Sequence, residues 1–245
     1  MIIRTARSLL AWLGSHGHLF IAAVLAVVAG TWGFVEILDE VKEGDTQHFD
    51  EWTIRKLREH EGPLWLQEVG RDFTALGGVA VLVMVTFAVA GYLLLRRLYG
   101  AMWLVLIATG GGLVLSTVLK YFIDRDRPAL VEHRSIVYTS SFPSGHSMLS
   151  AVVYLTLGSL LARIMPGRLL KLYFLFLAMA LTFLVGVSRV YLGVHWPTDV
   201  LAGWCGGLVW ALVCWLVARQ LQRKGAVEKD DDATPDEEPQ IEAKP

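Results

Sequence analysis

Six apolar runs, at about 19–38, 76–95, 101–123, 147–163, 172–190 and 199–218, dictate most of what this chain can fold into. Each approaches the roughly 20 residues a helix needs to cross a bilayer. Hydrocarbon holds no water to satisfy backbone N–H and C=O groups, so such runs cross as helices. The expectation is an all-α integral membrane bundle of six transmembrane helices. A chain of 245 residues that is 54% hydrophobic, with mean hydropathy +0.49, is not an ordinary soluble domain. The first run follows Arg4 and Arg7 as a secretion signal would, but it stays apolar too long and lacks a clear small-residue cleavage site. It reads as an uncleaved span.

Three parts are expected: a cytoplasmic N-terminal segment at 1–18, a six-span domain at 19–224, and an acidic cytoplasmic tail at 225–245. From Glu228 onward there are eight acidic residues and two lysines, net −6, which leaves about +5 on the body and returns the stated −1. With Pro235, Pro239 and Pro245 and few apolar residues, this tail is expected to be disordered.

Basic residues in short loops set the orientation. Arg4 and Arg7, Arg96 and Arg97, Arg163, Arg168 and Lys171, and Arg219, Arg223 and Lys224 all fall on one side of a six-span arrangement. That side is expected to be the cytoplasm, with both termini. The opposite side carries residues 39–75, 124–146 and 188–198. In the first of these, Phe49, Trp52, Leu57, Trp65, Val69 and Phe73 recur among many charges. This pattern predicts two short amphipathic helices on the membrane surface, broken near Gly62 and Pro63, either roofing a site or merely connecting two spans. Cys205 and Cys214, nine apart in one helix, point to roughly opposite faces and cannot bridge one another.

Ionisable groups at a membrane edge need a reason, because a charge at the bilayer centre costs roughly 2.5–3.5 kcal/mol even on lenient scales. Three clusters share the outer side. In KYFIDRDRP, Lys120 and Arg127 are seven apart and would lie on one helix face, with Pro128 biasing Arg127 toward the helix end. In FPSGHS, Pro143 and Ser144 suit a helix entry, Gly145 lets a ligand approach the backbone, and the first N–H groups point outward beside His146. In SRVYLGVHWPTD, Arg189, His195 and Asp199 bracket Pro197, which marks the first turn of the last span.

Three cations, a helix N-terminus, two histidines and a carboxylate suit phosphoryl transfer, whose transition state spreads charge over three oxygens. Asp199 lies four residues after His195 in a first helical turn. There it can accept from one imidazole nitrogen and aim the other at phosphorus. His195 is thus the candidate nucleophile and His146 the candidate general acid, later the base that activates water on a phosphohistidine.

Together, K-x6-RP (Lys120, Arg127, Pro128), PSGH (Pro143 to His146) and SR-x5-H-x3-D (Ser188, Arg189, His195, Asp199) resemble the signature of the type-2 phosphatidate phosphatase superfamily. The likeness extends over roughly 49–218 and includes FDEWTIRKLRE and FTALGG. It implies a six-helix all-α fold and a phosphohistidine mechanism with no metal and no cofactor. Lys120, Arg127, Ser144, Gly145 and Arg189 would hold phosphate, His146 would act as acid, His195 as nucleophile and Asp199 as its orienter. The implied protein is a bacterial inner-membrane phosphatase with its active site on the periplasmic or extracellular side. It would act on undecaprenyl pyrophosphate first, and on phosphatidylglycerophosphate or phosphatidate second. Its expected partners are the bilayer and a lipid phosphate, with no nucleic acid and no obligate protein partner. A transferase using the same intermediate is the nearest rival. A lipid-phosphate carrier is the more distant one, since it would need the cations but not His195 paired with Asp199.

Several residues carry plainer expectations. Asp124, Arg125 and Asp126 read as a solvated ion-pair set, and His16, His18, His48 and His60 as surface groups. His133 and Arg134 could touch a head group. Gly110 to Gly112, Gly203 and Gly207 read as helix-packing positions, and Tyr121, Tyr191 and Trp196 as interfacial anchors.

Overall fold

A computed structural model describes residues 17–59, 62–129 and 139–223. Among these residues, eight helices run in the order α1 (His18–Glu43), α2 (Gln47–Glu59), α3 (Leu64–Leu76), α4 (Val79–Leu95), α5 (Tyr99–Phe122), α6 (Gly145–Ile164), α7 (Arg168–Tyr191) and α8 (Pro197–Arg223). Five of them, α1, α5, α6, α7 and α8, are long and apolar enough to cross a membrane. α3 and α4, bent by 48° at Gly77 and Gly78, pass the same test only when taken together, as a broken span or a re-entrant loop. The chain is therefore a multi-pass membrane protein, and each expected span has its counterpart. The boundaries differ where local chemistry extends a helix. α1 continues past the expected end at 38 and stops at Gly44, whose φ of 88° is a left-handed C-terminal cap with its N–H on the Glu40 carbonyl.

α6 is the centre of the bundle, packed by α5, α7 and α8, and α1 lies outside against α8. Its buried face is built of small residues, Ser147, Ser150, Ala151 and Gly158 among them. Helices in lipid gain little from burying apolar surface against one another, so close backbone approach through small residues takes over. Gly203 and Gly207 make the closest such contact. A Cβ on Gly203 would lie 2.7 Å from the Ser144 carbonyl oxygen, and one on Gly207 2.5 Å from that of Met148. The start of α8 is thus locked to the start of α6, where two of the three motifs lie. Gly111 and Gly112 pack against Trp210, but nothing lies within 4 Å of where a Cβ on Gly110 would be, so that glycine needs no packing explanation.

The two amphipathic helices expected at 39–75 are α2 and α3, with Gly62 and Pro63 between them. The apolar stripe of α2 faces away from the protein: Phe49 and Trp52 are exposed, while Asp50 and Ile54 are buried. In a soluble protein that pattern would be inside out. For a helix against a bilayer, the apolar face belongs to lipid. α3 packs along α7, with Gly70 against Tyr191. Cys205 and Cys214 are both free thiols.

Candidate active site

All three motifs converge at one end of α5 to α8. α8 starts at Pro197, which has no N–H to satisfy, and Asp199 in the first turn reaches back so that its Oδ2 accepts the Trp196 N–H at 2.9 Å. This is the returning half of a capping box. The same oxygen faces His195 Nδ1 at 3.3 Å and accepts from the Ser141 hydroxyl. Asp199 is 0% exposed and His195 2%. With Asp199 accepting at Nδ1, the tautomer that satisfies the network carries its proton there, leaving the Nε2 lone pair free to accept. Nε2 lies 3.3 Å from Arg127 Nη1. Burial pushes His195 down to about 3, and the hydrogen bond and charge of Asp199 pull only partly the other way. His195 is therefore neutral at physiological pH, as a nucleophile must be.

Arg127 reaches the site differently from the sequence expectation. α5 ends at Phe122, so Lys120 and Arg127 do not share a helix face. Residues 123–127 instead pair with the segment before α6: Ser141 N–H donates to the Arg125 carbonyl at 2.9 Å, and the Ser140 hydroxyl to that of Ile123 at 2.7 Å. That tertiary pairing, with Pro128 already disfavouring helix at Arg127, outcompetes another helical turn. The two cations meet nonetheless. Lys120 Nζ donates to the Ser140 carbonyl at 2.7 Å, and Arg127 Nη2 reaches the same oxygen at 3.4 Å. Arg127 also donates to the carbonyls of Thr139 at 2.8 Å and Val194 at 2.6 Å.

Arg189, in the last turn of α7, is 2% exposed; its Nη1 donates to Thr74 Oγ1 at 3.1 Å, and its Nε has no partner. A buried guanidinium N–H without an acceptor is costly, and a bound anion would supply one. Among the described residues, none of Lys120, Arg127 and Arg189 pairs with a carboxylate. His146 stands at the start of α6, within electrostatic reach of Arg189, His195, Lys120 and Arg127. The α3–α4 bend lies over it: a Cβ on Gly77 would meet His146 Cβ at 3.3 Å and Cδ2 at 3.4 Å. A Cβ on Gly145 would stand 3.4 Å from both Lys120 Cε and Ser116 Oγ, an ordinary contact, so these neighbours do not themselves demand a glycine. Ser144 is buried, and its hydroxyl caps α6 by accepting from Ser147 Oγ at 2.9 Å and, more weakly, from Ser147 N at 3.5 Å. Its side chain thus shapes the helix entry.

Four participants escaped the sequence reading. Arg125 was expected in a solvated ion-pair set with Asp124 and Asp126. Asp124 and Asp126 are exposed, but Arg125 turns inward to Asp199 and Asp50. Asp50, Thr74 and Ser141 were not singled out. The signal for Asp50 was available: it precedes Ile54 by one helical turn on the face opposite Phe49 and Trp52. Trp196 is not an interfacial anchor. Its Nε1 donates to the Asp126 carbonyl at 2.9 Å and its ring packs with Ile54, Val190 and Val200. Tyr191 is likewise braced against Gly70, whereas Tyr121 is 83% exposed, as an anchor should be. His18 and His48 are exposed. His16, His60, His133, Arg134 and the acidic tail lie outside the described residues.

The sequence profile of the PAP2 superfamily matches residues 100–223. Phosphatidylglycerophosphatase B of Bacillus subtilis is 39% identical over 150 residues, 59% of this chain and 71% of that protein. Undecaprenyl-diphosphatase of Sulfolobus acidocaldarius is 36% identical over 39% of this chain and 44% of its own. The crystal structure of a transmembrane PAP2-type phosphatidylglycerolphosphate phosphatase from Bacillus subtilis superposes with a TM-score of 0.74 at 31% identity, covering 80% of this chain and 98% of that one.

Proposed function

The chain belongs to the PAP2 superfamily, and we propose that it is a membrane phosphatase that removes phosphate from a lipid head group through a phosphohistidine on His195. The observation that carries this reading is the set of three cations, Lys120, Arg127 and Arg189, with no carboxylate partner among the described residues, gathered around a neutral histidine whose other nitrogen is held by Asp199. Such a set stabilises the charge of a phosphoryl group in transfer without reorganising. His195 Nε2 attacks phosphorus, the bond to the leaving oxygen breaks, and His146 gives that oxygen its proton. Water then attacks the phosphohistidine, with His146 taking the proton. The cations and backbone N–H groups do what a metal ion would otherwise do.

The substrate is a lipid phosphate because the motifs lie at helix ends, where a molecule anchored in the leaflet can enter sideways. The better-covered relative favours phosphatidylglycerophosphate over the undecaprenyl pyrophosphate ranked first on sequence. The positions of the basic loops favour a site on the non-cytoplasmic face with both termini inside. Inorganic phosphate release from phosphatidylglycerophosphate, phosphatidate and undecaprenyl pyrophosphate, measured in excess chelator, tests the activity. Turnover should persist; loss in chelator with rescue by magnesium would overturn the mechanism. For the orientation, a cysteine at exposed Glu59 should react with an impermeant thiol reagent in intact cells and one at exposed Arg168 should not. The reverse pattern would invert the topology.

A further inference from the structure

Arg125 is held at its backbone N–H and carbonyl and at both terminal guanidinium nitrogens. Its N–H donates to Ser140 Oγ at 3.2 Å, its carbonyl accepts from Ser141, and its guanidinium lies 5.6 Å from the centre of the Trp196 ring. Nη1 donates to Asp199 Oδ1 at 2.6 Å and to Thr198 Oγ1 at 2.9 Å, and Nη2 to Asp50 Oδ2 at 2.7 Å. Asp50 is 0% exposed and also accepts from the Thr198 N–H at 3.1 Å and hydroxyl at 2.6 Å. It therefore closes the N-terminus of α8 from a different helix.

We propose that Arg125 and Asp50 are positioning residues for the nucleophile: Arg125 anchors Oδ1 of Asp199 so that Oδ2 is presented to His195, and Asp50 balances the charge that Arg125 brings. This inference rests on the phosphohistidine reading above. The roles follow from the order of contacts. Oδ2 of Asp199 serves Ser141, the Trp196 N–H and His195, and all three need the carboxylate at one rotation. Arg125 supplies the contact on the other oxygen that prevents rotation. When Nε2 bonds to phosphorus the imidazole becomes cationic, and the Asp199 charge must stabilise it. An uncompensated guanidinium 2.6 Å from Asp199 would weaken that stabilisation, and Asp50 offsets it. The planar fork gives each carboxylate its own nitrogen in a fixed geometry, which the single nitrogen of a lysine reproduces only in part.

The test is single-turnover phosphoenzyme formation with p-nitrophenyl phosphate in purified full-length protein. Asp50→Asn keeps the size but removes the charge and turns one of the two accepting oxygens into an NH2 donor, and Arg125→Met removes the guanidinium. Each should slow formation at least about tenfold, with the half-saturating substrate concentration within about twofold, because Lys120, Arg127 and Arg189 are untouched. Arg125→Lys should recover part of the rate. The double variant should be no slower than the slower single, since removing Arg125 also removes the charge that Asp50 offsets. Wild-type rates in both singles, or losses that multiply in the double, would overturn the proposal. If Arg125→Met does not fold, Asp50→Asn and Arg125→Lys decide the matter by the same criteria. His195→Ala in the same assay separates the two levels: phosphoenzyme formed without His195 refutes the site reading itself. No phosphoenzyme there, beside full rates in the Asp50 and Arg125 variants, refutes only this inference.

Discussion

The two ends of the bundle are built on different principles. At the motif end, Asp50, Ser141, Ser144, Ser188, Arg189, His195, Thr198 and Asp199 are all buried, tied by side-chain bonds that join α2, α3, the segment before α6, α7 and α8. At the opposite end, among the described residues, α6 and α8 share an exposed Arg163 to Gln222 bond of 3.3 Å, and Arg219 lies over its own helix's Trp215. Among the described residues, the buried network of charged and polar side chains lies at the motif end. Directional bonds between buried charges are weak sources of stability, since desolvation consumes much of the gain. Their concentration at one end is therefore best read as positional control over a reaction.

Removing His146 is expected to have the largest graded effect at the motif end. His146→Ala should slow turnover of a lipid phosphate about 100-fold to 10,000-fold, and turnover of an aryl phosphate far less, because that leaving group needs little protonation. Equal losses on both substrates would deny His146 the acid role. Next in size is a pH effect that should be missing. With His195 pushed down to about 3, it stays neutral from pH 8 to 5.5 and loses no nucleophile as the pH falls. Phosphoenzyme formation by His146→Ala with p-nitrophenyl phosphate, corrected for the phosphate's own ionisation near pH 6, should be flat across that range. A histidine titrating at its ordinary value of about 6.5 would instead lose roughly tenfold by pH 5.5. The smallest effect belongs to the opposite end. Gln222→Ala should change stability by less than about 0.5 kcal/mol and leave turnover as it is. A loss of activity there would erase the contrast between the ends.

How much of this was legible beforehand follows from the same contrast. Spans are local properties of composition, and α5, α6, α7 and α8 stand close to where the apolar runs put them. Lys120, His146, Arg189, His195 and Asp199 could be picked out because charges at membrane edges are costly and each stands at a helix end. Arg127 could be named, but its route could not, because pairing between residues 123–127 and 139–141 decides it and no helical period encodes that. Asp50 and Arg125 are 75 positions apart, and Thr74 and Arg189 are 115 apart. No local pattern joins such partners. Phe49 and Trp52 mark an amphipathic helix, but the residue that reaches the site is the acid on the other face, Asp50.

The central claim is that phosphate passes through His195, and the most direct measurement is where the phosphoryl group sits in the trapped intermediate. Rapid quenching in alkali after mixing with a labelled substrate, followed by peptide mapping, should place an acid-labile, alkali-stable phosphoryl group on the peptide carrying His195. A phosphoryl group on His146, or no protein-bound phosphate during rapid turnover, would contradict it.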